Sequence, residues 1–272
     1  MSQVLMLQRG EDKISYDDTG GSGRLIICVP GMGELRSIYR FVVPRLKDVG
    51  FRVVTMDLRG MGDSSPIWTD YSELAIASDI VTLIEQLKAG PAILIGNSIS
   101  GGAAVCVAAD HPGLVSRLVL VDPFVRQIPI PWWKLLTFRI ALLGPWGLGT
   151  WINYQSGTLY PKSKPPDYVE YNLALRKNLK EPGRMNSFRK MAMTDHHAAE
   201  SRLDKILCPV LVVMGGSDPD FPDPKAEGEL IGNRSHAKLE MLASLGHYPQ
   251  AEQPDLFLKP VLQFIKGDQS GS

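Results

Sequence analysis

Cysteine is scarce in this chain: Cys28, Cys106 and Cys208 lie far apart, without the spacing of a thiolate metal site. Cys28 and Cys106 sit inside apolar runs and read as buried thiols in a reducing compartment. Net charge is equally lacking, because 29 Lys and Arg balance 29 Asp and Glu. Without an overall basic field nothing gathers phosphates, so nucleic acid is not an expected partner. No apolar stretch is long enough to cross a bilayer, and the opening residues MSQVLMLQRGEDK lack the basic-then-apolar order of a secretion signal. These scarcities point to a soluble, cytoplasmic protein with no stable membrane insertion.

Apolar residues are not scarce: at 44% of 272 positions they suffice for a large core, in a chain short enough to be one domain carrying an insertion. Short runs rich in β-branched residues recur at 24–30, 51–57, 91–96, 114–122, 208–215 and near 237–242. Their nearly continuous hydrophobicity is that of strands covered on both faces of a parallel sheet. Helix-length segments lie between them at 35–49, 72–88 and 99–110, and later near 225–231 and 254–265. The alternation predicts an α/β fold with a mainly parallel central sheet flanked by helices. Between Pro123 and about Lys205 the rhythm breaks into helical pieces separated by Gly and Pro. The expected division is a core of residues 1–123 and 206–272 with a helical insertion at 124–205.

Within LIGNSISGG, residues 94–102, Ser98 stands where a buried strand gives way to a helix. Small residues two before and two after it, Gly96 and Ser100, suit the sharp turn of a nucleophile elbow. The competing reading is a serine that merely caps a helix. A serine hydroxyl needs a base, a group to orient that base, and oxyanion donors. VPGMGE at 29–34 follows an earlier strand, so the backbone N–H of Met32, with that of Ile99, is a candidate oxyanion hole. GGSDPD and LGHYPQAEQPD follow late strands and give the chain order Ser98, Asp218, His247.

Taken together, VPGMGE, DLRGMGDSS, GNSISGG, GGSDPD and GHYPQAEQPD make the chain resemble the α/β-hydrolase fold superfamily, in the group of serine hydrolases that carry a helical cap after the sixth strand. The resemblance covers the chain apart from the cap. It implies Ser98 as nucleophile, His247 as general base and Asp218 as the carboxylate that orients it. Asp218 is favoured over Asp220 by its place just beyond the strand. Asp122 is the rival, because some members supply the acid at the end of the sixth strand. Of the other histidines, His111 reads as a helix-end residue, His196 and His197 as a solvated pair, and His236 as exposed at the start of an edge strand. Asp57, Arg59 and Asp63 read as loop-fixing residues, and Glu34 as a surface helix cap.

A serine at the elbow disfavours epoxide hydrolysis and dehalogenation, whose enzymes resemble one another in placing aspartate there. The implied chemistry is acyl transfer through an acyl-enzyme, with no metal or organic cofactor. Aromatic residues crowd the insertion, and Trp132, Trp133, Trp151 and Tyr154 are candidates to line a pocket for an apolar or aromatic group. They would equally well form the insertion's own core. A membrane-surface role for residues 129–149 is disfavoured by their few basic residues. The expected partners are a small-molecule substrate and, as the one candidate assembly, a second copy in a homodimer. Three functions follow: a hydrolase of small carboxylic esters or lactones, a carbon–carbon bond hydrolase of the ring-cleavage-product type, and a ligand receptor on a hydrolase scaffold.

Overall fold

The computed structural model describes residues 4–128 and 131–267. The apolar runs become strands β1 (Leu5–Arg9), β2 (Asp12–Asp18), β3 (Leu25–Val29), β4 (Arg52–Met56), β5 (Ala92–Asn97), β6 (Val115–Val121), β7 (Val210–Gly215) and β8 (Lys238–Leu242). They form one sheet in the order β1-β2-β4-β3-β5-β6-β7-β8. Every residue of β3, β5 and β7 is buried, which is why these central strands read as unbroken apolar runs. From β4 through β8 the pairing is parallel, whereas β1 and β2 form an antiparallel hairpin that joins the sheet at β4. That hairpin was not foreseen, because its strands mix charged and half-exposed positions at the sheet edge and imitate loop.

Helices α1 (Val43–Asp48), α2 (Glu73–Leu87), α3 (Ile99–Asp110), α4 (Trp132–Leu143), α5 (Gly147–Thr158), α6 (Tyr168–Leu179), α7 (Arg184–Met191), α8 (His197–Glu200), α9 (Pro224–Ser235), α10 (Pro249–Glu252) and α11 (Pro254–Lys266) complete the order. The helix expected over 35–49 is broken into a 3₁₀ turn at Arg36–Tyr39 and the short α1. Pro44 supplies the reason: lacking an N–H and clashing with the carbonyl four residues back, it is tolerated only in the first turn. Helices α4 to α8 all fall between β6 and β7, and no described residue of that segment is in a strand. No described helix is long and apolar enough to cross a membrane.

Parallel strands β3, β5, β6, β7 and β8 place their carboxyl ends on one edge of the sheet. The loops that leave that edge carry VPGMGE, Ser98, Asp122, Asp218 and His247, as the switch-point rule for open α/β sheets anticipates.

Candidate active site

The β5–α3 turn is built to hold Ser98 in a conformation that side chains avoid. Its φ of 58° and ψ of −126° lie outside the regions open to most residues, a strain of about 1–3 kcal/mol that persists only where the surroundings over-determine it. The surroundings are specific. The Ser98 N–H donates to the Val121 carbonyl, and the Ser98 carbonyl accepts from Gly101 and Phe124. A Cβ on Gly96 would meet the Ser100 carbonyl oxygen at 2.4 Å, so only glycine fits two residues before the serine. Ser100, where the elbow pattern usually has glycine, is fully buried and donates its hydroxyl to the Pro30 carbonyl. Although Ser98 occupies the N-cap position of α3, its hydroxyl makes no capping hydrogen bond.

The VPGMGE loop lies directly against this turn. A Cβ on Gly31 would touch the Ser98 Cβ at 3.0 Å, so Met32 follows immediately beside the serine, and Ile99 opens α3. The two nominated backbone donors are thus the residue after Gly31, which packs on Ser98, and the first residue of α3, a helix N-terminus whose dipole favours negative charge.

His247 sits in the loop after β8, buried, with Nδ1 2.6 Å from Asp218 Oδ2 and 3.7 Å from Asp220 Oδ2. Asp218 Oδ1 also accepts from the Asp220 N–H at 2.9 Å. Burial opposes a charged imidazole, yet Asp218, by its charge and its hydrogen bond, and after it the charge of Asp220 outweigh it and push His247 up to about 10. Donor atoms of Asp218, Asp220 and His247 lie close enough together for a cation. The 2.6 Å separation is nonetheless that of a shared proton, and we read the group as a hydrogen-bonded pair with a flanking carboxylate rather than as metal ligands.

Asp122 ends β6 with φ 42° and is fully buried. Its Oδ1 accepts from the Gly215 N–H at 2.7 Å, so the structure joins the imidazole nitrogen to Asp218 and joins Asp122 to the β7 backbone.

Two supporting residues were not singled out from the sequence. The Asn97 side chain donates to the carbonyls of Val121 at 3.0 Å and His247 at 3.1 Å, tying the serine's strand to the histidine's loop. A polar residue closing an apolar strand was the clue. Glu252 accepts from the Gly246 N–H at 2.7 Å and from the N–H groups of Lys162 and Ser163, holding the same loop to the insertion.

Glu34 is not a surface cap. It is fully buried, where it accepts from Gln155 Nε2 at 2.9 Å and from the Tyr171 hydroxyl, both in the insertion. Desolvation pushes its carboxyl up to about 7 against those hydrogen bonds and the positive His247. The four aromatic pocket candidates separate. Trp151 is buried, packs at a tilt on Phe188 with ring centroids 4.7 Å apart, and donates to the Gly33 carbonyl beside Met32. Tyr154 donates its hydroxyl to Asp220. Trp132 and Trp133, by contrast, are 76% and 52% exposed on α4, and such exposure does not suit the wall of an enclosed pocket.

The remaining readings are quickly placed. His196 is not a solvated residue: it pairs with buried Glu73 at 2.8 Å and stacks on Phe124, whereas its neighbour His197 is exposed. His111 is the C-cap of α3, and His236 is exposed but caps α9 rather than opening a strand. Asp57 does fix its loop, accepting from Arg36, Ser15 and the Asp63 N–H, and Arg59 pairs with Asp79.

A positive-φ serine between a parallel strand and a helix, with a buried histidine–aspartate pair on neighbouring loops of the same edge, is the layout of a hydrolase. Residues 26–259 match the alpha/beta hydrolase family, and the chain belongs to it. It is 31% identical over 228 residues to RutD of Caulobacter sp. strain K31, a carbamate hydrolase by provisional assignment, covering 80% of this chain and 82% of that protein. The 2-hydroxy-6-oxononadienedioate/2-hydroxy-6-oxononatrienedioate hydrolase of Burkholderia vietnamiensis is 24% identical over 94% of this chain and 92% of its own. The fold is shared with an esterase from Exiguobacterium antarcticum, at a TM-score of 0.84 and 22% identity over 98% of this chain and all (100%) of that one.

One prediction arises from the charges around the imidazole. Asp220→Asn keeps an acceptor for Tyr154 but removes a negative charge 3.7 Å from Nδ1. If His247 is the general base it must be neutral to act, the acid limb of the kcat/KM profile follows it, and that limb should move down by about one pH unit in this variant. An unmoved limb would mean that Asp220 does not act on the base.

Proposed function

We propose that the protein is a serine hydrolase that cleaves a small, apolar or aromatic carboxylic ester or lactone through an acyl-enzyme. The observation that carries this reading is the strained Ser98, whose hydroxyl caps nothing, beside a buried His247–Asp218 hydrogen bond. In this reading Ser98 attacks the carbonyl, His247 takes its proton and returns it to the leaving group, and Asp218 holds the imidazole with its proton on Nδ1. The N–H groups of Met32 and Ile99 receive the oxyanion. Water then attacks the acyl-enzyme with His247 again as base. The insertion at 124–205 acts as the cap: Trp151 and Phe188 press on Gly33 of the oxyanion loop, where a Cβ would meet either ring below 3.0 Å, and they offer the acyl group an aromatic wall.

Carbamate cleavage is the second reading, favoured by the relative in Caulobacter and by the same attack on a carbonyl. Comparing kcat/KM on an aryl ester, a lactone, a carbamate and a vinylogous diketone tests the choice. The ester or lactone should exceed the others at least tenfold. A carbamate preference of that size selects the second reading, a diketone preference makes the protein a carbon–carbon bond hydrolase, and tight binding without turnover of any of them makes it a receptor.

A further inference from the structure

Three carboxyls crowd the base, Asp122 and Asp218 buried and Asp220 partly exposed, and the mechanism above uses only one of them. Asp122 is the odd one. It is fully buried at the end of β6, and its Oδ1 is satisfied by the Gly215 N–H at 2.7 Å, but its Oδ2 has no donor. A buried carboxylate oxygen left without a donor is costly. The groups facing it are Asp218, which is within hydrogen-bonding reach from the loop after β7, and His247 from the loop after β8. Asp220, beyond Asp218, adds a further negative charge to the same cluster. Two carboxylates in contact cannot both ionise cheaply, and Asp218 is the one that already carries the imidazole proton's hydrogen bond.

We propose that Asp122 holds a proton on Oδ2 and donates it to Asp218, so that it acts as a positioning residue for the carboxylate that orients His247. This rests on the triad assigned above. The arrangement turns an orphan oxygen into a donor and gives Asp218 a third partner after His247 and the Asp220 N–H. It also disperses the Asp218 charge, which moderates the pull of that carboxylate on the imidazolium. Burial and the adjacent Asp218 charge both favour the protonated form, in that order, pushing Asp122 well above the ordinary carboxylate range.

Asparagine can reproduce the proposed role, because its Oδ1 accepts from Gly215 and its Nδ2 donates to Asp218. Alanine cannot. Asp122→Asn should therefore keep the acid limb of kcat/KM within about 0.3 pH unit of wild type and kcat within about threefold. Asp122→Ala should raise the limb by about 0.5–1 pH unit, as the undispersed Asp218 charge holds the imidazolium more tightly. A limb that falls in Asp122→Asn reveals a lost negative charge and overturns the proposal. A wild-type limb in a folded Asp122→Ala overturns it too, leaving Asp122 a merely structural role. Should the alanine variant not fold, infrared difference spectra decide: wild type minus Asp122→Asn at neutral pH must show a protonated-carboxyl C=O band, the contribution of Glu34 being common to both and cancelling, and a difference without that band overturns the proposal. Asp218→Asn separates this proposal from the one beneath it, since an active Asp218→Asn enzyme together with an inactive Asp122→Asn enzyme means that the triad assignment itself has failed.

Discussion

Replacement of Ser98 by alanine is expected to lower kcat by roughly six powers of ten while leaving the fold intact, the loss seen when a hydrolase triad loses its nucleophile. The residual rate would come from the oxyanion donors and substrate binding alone. Alanine keeps the Cβ, so the positive φ of 58° costs the same as before and no cavity opens at the turn. Glycine behaves differently. Ser98→Gly should be equally inactive but more stable by about 1 kcal/mol, because the strain of the left-handed conformation disappears and exceeds the extra freedom of the unfolded glycine. A variant that loses all activity and gains stability is the signature of a residue kept for chemistry at the expense of the fold. The checks are a fluorophosphonate label located by peptide mass analysis, turnover of an aryl ester, and thermal unfolding. A label on any other serine, or ester turnover in Ser98→Ala near that of wild type, overturns the assignment.

What the sequence makes legible here is whatever depends on local turn chemistry at the end of a buried strand. Gly96 and Ser98 mark one such end, Gly215 to Asp218 another, and Gly246 to His247 a third, and the parallel sheet brings all three to one edge. Apolar periodicity located the six parallel strands β3 to β8 to within a residue or two, because the inner ones are covered on both faces and need apolar residues throughout. It missed the β1–β2 hairpin, where Leu7 and Ile14 are buried but their neighbours are polar or exposed. Partners distant in sequence were invisible for a different reason. Glu34 is buried by Gln155 and Tyr171, 121 and 137 positions away, so nothing near it betrays that it lies inside. His196 owes its buried carboxylate partner to Glu73, 123 positions earlier. Composition alone likewise treats the tryptophans of the insertion as equals, whereas packing buries Trp151 against Gly33 of the VPGMGE loop and leaves Trp132 in solvent.

The second large effect concerns the acid. Asp218→Asn is expected to reduce kcat by roughly four powers of ten with little change in the folded structure. The cause is the tautomer. Asp218 Oδ2 lies 2.6 Å from Nδ1 and so holds the imidazole proton there, which leaves Nε2 as the acceptor for a nucleophile's proton. An asparagine that turns its amide nitrogen toward Nδ1 reverses this: the proton moves to Nε2, and the base is lost without any change of shape. Asp220 sets a limit on the loss. Its Oδ2 is 3.7 Å from Nδ1 and its Oδ1 already accepts from Tyr154, so it is a poorly placed substitute rather than an absent one. The Asp218→Asn, Asp220→Asn double variant should therefore fall below the single one by about a further tenfold, a non-additive loss because Asp220 matters to orientation only when Asp218 is gone. Steady-state turnover of Asp218→Asn, Asp220→Asn and the double variant on one aryl ester measures this directly. Near-normal rates in Asp218→Asn would remove it from the triad, and equal rates in the single and double variants would show that Asp220 provides no reserve.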